Sequence, residues 1–194
     1  MKKITLATLA LIGLVFTAKA QIQKGNVMVG ANFANLDLSL EKGGFFQGTI
    51  SPKAAWFIQD NVALGGYVDL GISTSKGNGS TFNYGIGPLA RIYSGAGTEV
   101  VRHGRFFGEA NLGLGGSHIS SAVGNQNTNG FDFGVGPGFS YFITPNIGLE
   151  TLLKFRGQTG FGNNGLASNL NLNFGFQVYL PGRSTAAKVR GDLK

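Results

Sequence analysis

Two histidines and no cysteine narrow the chemistry open to this chain. His118-Ile119-Ser120 sets a base and a hydroxyl two residues apart, on one face of a strand, the pairing that acyl transfer uses. That reading lacks an orienting acid. Asp132, on the strand that follows, falls on the opposite face, whereas His118 points away from the charged side. The plainer expectation is a rim histidine beside a loop serine, and the chain is expected not to be an enzyme. An acyl hydrolase using His118 and Ser120 is the alternative. His103, in the turn Arg102-His103-Gly104-Arg105, stands at the other end of the same strand, so the two histidines cannot chelate one metal. Asn125, Asn127, Asn129 and Asp132 are rich in oxygen but lack the spacing of a calcium loop. Gly85-Ile86-Gly87 and Gly134-Val135-Gly136 lie inside strands with no helix following, so the dinucleotide fingerprint has no context. Without cysteine there is no thiolate metal site and no disulfide framework. No catalytic residue, metal site or cofactor is assigned.

The residues that do form a pattern are charged. Lys53, Asp69, Arg91, Glu109, Asp132, Glu150, Lys154 and Arg156, four acids and four bases, share one phase of an apolar/polar alternation. The other phase carries no mid-strand charge. Facing lipid, a Lys or Arg at the midplane costs about 2–4 kcal/mol. Facing a lumen, the charges can pair, and unpaired burial is costly enough to require it. A linked network is expected, with Lys53 and Arg91 meeting Glu109 and Glu150.

Eight alternating segments must position these residues: 26–36, 48–58, 62–74, 82–93, 106–118, 131–143, 147–156 and 170–180. Their apolar phase holds Val27, Ile50, Trp56, Leu64, Ile72, Ile86, Leu112, Val135, Leu153 and Phe174, with like residues between. Glycine, 33 residues of 194, is scattered through these segments, where it would weaken a helix, and sixteen Phe accompany it. Strands of soluble domains run about five or six residues, whereas a tilted strand crosses a bilayer in about nine to eleven. The fold class expected is therefore all-β, an eight-stranded antiparallel transmembrane β-barrel. A soluble barrel would bury the charges and coat its outside with Val, Leu and Phe.

Gln59-Asp60-Asn61 and Thr144-Pro145-Asn146 read as tight turns. Longer loops are expected at 39–47, 75–81, 119–130 and 157–169, rich in Gly, Asn and Ser. Short periplasmic turns with longer outer loops suit this class, and an even strand number puts both termini in the periplasm. Segment 94–105 is long for a periplasmic turn, unless the flanking strands extend through Val100 and Val101. Glycine gathers on the charged face, Gly85, Gly113, Gly134 and Gly138 among others, beside bulky Tyr67, Leu89, Phe107, Leu152 and Tyr179. Eight strands leave just enough interior for side chains to fill, so a filled lumen is expected. Trp56, Tyr84, Tyr93, Tyr141 and Phe155 are expected as interface girdles.

The chain start, residues 1–20, reads as a signal peptide: Lys2 and Lys3, an apolar run, then Ala18-Lys19-Ala20, with cleavage before Gln21. The barrel domain is then 21–180, followed by a basic periplasmic tail, 181–194. Without the leader, thirteen Lys+Arg face nine Asp+Glu, a modest excess with no basic, aromatic-interleaved face for nucleic acid.

Three phrases carry a family likeness: SPKAAWFIQDNVALGGYVDL at 51–70, FNYGIGPLARIY at 82–93 and FGVGPGFSYFITPNIGLE at 133–150. In the first and third, an aromatic-Phe-Ile end is followed three residues later by Asn and a new apolar strand. With them the chain resembles the small outer membrane β-barrel proteins of Gram-negative bacteria, in particular the Bacteroidetes-type porin family, or outer membrane protein beta-barrel domain group. The resemblance covers nearly all of 21–180. It departs where such chains end on an aromatic residue of the last strand, since fourteen residues follow Leu180. It implies an integral outer membrane protein with a structural, adhesive or surface-interaction role. A narrow porin-like channel for small solutes or ions is one alternative, and an outer membrane lipid A acyl hydrolase using His118 and Ser120, as in small deacylase barrels with a His-x-Ser pair, is the other. The implied partners are outer membrane lipids and lipopolysaccharide, with the barrel assembly machinery and periplasmic chaperones during biogenesis; the surface partner is unknown.

Overall fold

A computed structural model describes residues 22–39, 44–75, 79–95, 103–121, 124–161 and 166–182. Eight antiparallel strands close into a barrel in chain order: β1 (Val27–Leu38), β2 (Phe45–Gln59), β3 (Val62–Ser75), β4 (Gly79–Tyr93), β5 (Gly104–Ser121), β6 (Gly124–Thr144), β7 (Ile147–Gly160) and β8 (Leu166–Leu180). Closure is made by β1 on β8, from Val27 opposite Leu180 to Ala34 opposite Asn173. No sheet edge is left, so every strand finds backbone partners on both sides.

The alternation sets the register of faces. On β4, Leu89, Arg91 and Tyr93 are buried, while Ile86, Ile92 and their in-phase neighbours are exposed. The same sorting runs round the barrel, because side chains of a strand alternate between its two faces. The inside holds Met28, Phe57, Tyr67, Leu89, Phe107, Leu152 and Tyr179 among polar and charged groups, and the outside carries the long apolar residues.

All eight strands lie where the alternation puts them, but most run further. β5 continues to Ser121 and β6 starts at Gly124, with Ser121 opposite Gly124. The expected loop at 119–130 is therefore mostly a continued hairpin. Likewise β2 begins at Phe45, β4 at Gly79, β7 ends at Gly160 and β8 begins at Leu166, so the loops expected at 39–47, 75–81 and 157–169 are shorter than their Gly, Asn and Ser content suggests. A ladder of backbone hydrogen bonds can extend under polar side chains, and alternation of apolar residues marks only the part that needs an apolar face. At the opposite end the β2–β3 and β6–β7 turns are tight as expected, with Asn61 at φ 65° in the first, whereas β4 ends at Tyr93 and β5 begins only at Gly104.

Tyr93 corrects the expected girdle. It is 3% exposed and faces the lumen, in phase with Leu89 and Arg91. Its place at a strand end counted for less than its parity. Trp56, Tyr84, Tyr141 and Phe155 do face outward. The proposed leader at 1–20, the tail beyond Gly182 and the extension through Val100 and Val101 lie outside the described residues.

Candidate functional site

Adjacent strands bring the in-phase charges to one level of the lumen. Arg91 stands opposite Glu109 on β5, and Lys53 opposite Tyr67 on β3. The Arg91 guanidinium donates to two carboxylates at once, Nη1 to Glu150 Oε1 at 2.7 Å and Nη2 to Glu109 Oε2 at 2.6 Å. Lys53 Nζ lies 2.8 Å from Glu109 Oε2, and Lys154 Nζ 3.5 Å from Oε1. Three cations thus surround two carboxylates, all buried.

Neutral groups complete the cluster. Arg91 Nη1 donates to the Tyr93 hydroxyl at 2.9 Å, which lies 2.9 Å from the Tyr179 hydroxyl. Tyr179 in turn donates to Glu150 Oε1 at 3.1 Å. The Arg91 guanidinium also stacks over the Phe107 ring at 4.1 Å. Phe107 has room because its cross-strand partner is Gly138, where a Cβ would lie 2.2 Å from the ring. Phe57 packs near Tyr93 and Tyr179, closing the lumen at the tight-turn end.

Toward the hairpin end sits a second cluster. Arg156 Nη2 lies 2.9 Å from both Asp69 Oδ2 and Asp132 Oδ2, and Tyr67 donates to Asp132 Oδ1 at 3.0 Å. Here two carboxylates face one guanidinium, offsetting the extra cation below. Above it opens a cavity of about 230 Å³ lined by amides such as Asn35, Gln47, Asn83, Gln158 and Asn169.

All eight charges named from the sequence are therefore in the lumen, gathered as five and three. The expected links from Lys53 to Glu109 and from Arg91 to Glu109 and Glu150 are present. Of the aromatic and thioether half of the cluster, Phe57 and Met28 were not singled out from the sequence, and Tyr93 was expected at the girdle. Phe57 and Tyr93 share the parity of the named charges Lys53 and Arg91, and Met28 lies out of phase with Val27, which the apolar alternation turns outward.

On the outer face, the rim of the β5–β6 hairpin holds His118 and Ser120. The Ser120 hydroxyl lies 3.1 Å from His118 Nε2. His118 Nδ1 is hydrogen-bonded to Asn127 Oδ1 across the ladder, where the two residues are paired. The orienting group that sequence alone did not supply is thus an amide from the neighbouring strand. Asp132 stays in the lumen, bound to Arg156 and Tyr67. Below this trio, the Tyr84 hydroxyl donates to Asn129 Oδ1.

No family model and no curated protein matches this chain. Solved structures do. Neisserial surface protein A is 22% identical with a TM-score of 0.54, over 79% of this chain and 95% of that one. Outer membrane protein H (OprH) of P. aeruginosa, solved in DHPC micelles, is 16% identical with a TM-score of 0.55, over 80% of this chain and 99% of that one. Ail, the attachment invasion locus protein of Yersinia pestis, is 10% identical with a TM-score of 0.50, over 81% of this chain and 100% of that one. At these identities the likeness is one of fold: the closed eight-stranded barrel found in small outer membrane proteins.

Proposed function

We propose that this chain is an integral outer membrane protein with a structural or surface-interaction role and a closed lumen. One observation carries the reading: the barrel is inverted relative to a soluble one. Paired charges fill its inside, while Leu64, Ile86, Ile92, Phe106, Leu112 and Phe174 stand exposed outside. A continuous apolar belt of this kind is costly in water and matched to lipid. The tight turns and both barrel ends, Val27 and Leu180, share one rim, which we assign to the periplasm. The longer hairpins then face the cell exterior and form the contact surface. The aromatic-Phe-Ile phrases that make the β2–β3 and β6–β7 turns support membership of the Bacteroidetes-type porin family. Lipids and lipopolysaccharide would surround the belt, after delivery by periplasmic chaperones and the assembly machinery. The buried cluster around Arg91 fills the middle of the lumen and gives no support to a solute path.

The test is folding of residues 21–194 into detergent, followed on a gel with and without boiling. A compact species that shifts on heating, with β-rich circular dichroism, is expected. A chain that stays monomeric and soluble without detergent would overturn the membrane assignment.

A further inference from the structure

We propose that Ser120, His118 and Asn127 form a catalytic site that hydrolyses ester-linked acyl chains of outer-leaflet lipids. The proposal rests on the membrane reading above. Its geometry is that of a nucleophile, a base and an orienting group in sequence: Oγ 3.1 Å from Nε2, and Nδ1 bonded to the Asn127 amide oxygen. With Nδ1–H donating to Asn127 Oδ1, the lone pair of Nε2 faces Ser120, the tautomer a general base needs.

Position selects the substrate. One cross-strand row runs Ile72, Phe82, His118, Asn127, from β3 to β6. Residues opposite each other in a ladder share a face, so this row passes from apolar to polar along the outside of the barrel. His118 stands at the change. Two residues nearer the belt, a distance of about 7 Å along the strand, Tyr84 bonds Asn129, the polar tip of an aromatic girdle. The trio therefore lies where acyl chains meet headgroups, the depth at which ester carbonyls are found. Lumen residues do not reach it, and nothing in the barrel's ion clusters uses it.

The chemistry balances with water as the only co-reactant. Oγ of Ser120 bonds to the ester carbonyl carbon as its proton passes to His118 Nε2, and the carbonyl electron pair moves to oxygen. Collapse breaks the bond to the alcohol, which leaves with the proton from Nε2. Water then attacks the acyl-serine, giving its proton to His118. The second collapse releases the fatty acid and returns the proton to Ser120. Asn125 stands directly opposite Ser120 in the ladder and on the same face, and its side-chain amide is assigned to the developing oxyanion. Asn127 is a positioning residue: it holds the imidazole but brings no negative charge to balance the imidazolium.

The full chain, expressed in a Gram-negative outer membrane and purified in detergent, would be treated with a fluorophosphonate probe. It would then be mixed separately with glycerophospholipid and with lipopolysaccharide, and released fatty acid measured by mass spectrometry. Labelling at Ser120 and release from one of the two lipids are expected, the releasing lipid identifying the source. Ser120→Ala and His118→Ala should abolish both. Asn127→Ala should slow labelling at least tenfold, and Asn127→Asp should restore it. An unlabelled wild type, labelling that survives Ser120→Ala, or a labelled protein that releases acid from neither lipid would overturn the proposal. Heat-modifiable gel mobility is read on every sample. A chain without the folded band fails the membrane reading itself, while a folded but inert barrel fails only this site.

Discussion

Arg91 is the residue on which the lumen turns. It is fully buried and is bonded to Glu109, Glu150 and Tyr93, with its guanidinium plane on Phe107. Such pairs cost desolvation to bury, so their removal is more informative than their presence. Among the described residues, Arg91→Met leaves Glu150 with only the Tyr179 hydroxyl, while Glu109 keeps Lys53 and Lys154. The single change is expected to cost about 3–5 kcal/mol, the range for breaking a buried pair. Adding Glu150→Gln should recover most of that loss, because the stranded charge is gone. Urea unfolding in detergent, followed by the fluorescence of the sole tryptophan, Trp56, measures both. If Arg91→Met alone matched the wild type, the cluster would be wet rather than buried.

At the scale of the strand, parity carried most of what could be read in advance. Every mid-strand charge obeyed it, and so did Trp56 and Tyr84. Tyr93 and Phe57 were misjudged or passed over because an aromatic near a strand end suggests an interface, whereas the alternation already turned each inward. The outer ends of the strands were less legible for a different reason. Apolar alternation reports the need to face lipid, and β5 and β6 continue beyond that need through His118 to Ser121 and Gly124 to Gly130. Asn127 as the partner of His118 was hidden by the same fact, since a loop has no register and a ladder does. The belt's extent is open to measurement. Ile86, flanked by Val68 and Leu114, lies within it, and Asn129 beyond it. Ile86→Lys is expected to destabilise the folded barrel in lipid vesicles by about 2–4 kcal/mol, and Asn129→Lys by about 0–1. Equal effects in a urea titration would mean that the membrane boundary is drawn in the wrong place.

For the whole molecule, the distribution of charge decides between a plug and a pore. The eight lumen charges sum to zero, with one excess cation in the central cluster and one excess anion in the cluster beneath the cavity. An ion path needs binding weak enough to be left again, and here each carboxylate of the central cluster is already held by fixed donors. Eight strands also enclose little more than their own side chains, and Phe57, Tyr93, Phe107 and Tyr179 occupy the space toward the rim that carries Val27 and Leu180. On the closed reading proposed above, the cavity at the hairpin end is a cup and not a channel mouth. In a planar bilayer the purified barrel is expected to give no discrete conductance steps. Arg156→Ala, which alters only the floor of the cup, should be equally silent. Combining Arg91→Ser with Glu109→Ser and Glu150→Ser replaces the long charged side chains of the seal by short hydroxyls, and small steps are expected if the barrel still gives its heat-shifted band. Steps from the wild type would show instead that the cluster opens in the membrane, and the narrow-channel reading would then replace the closed one.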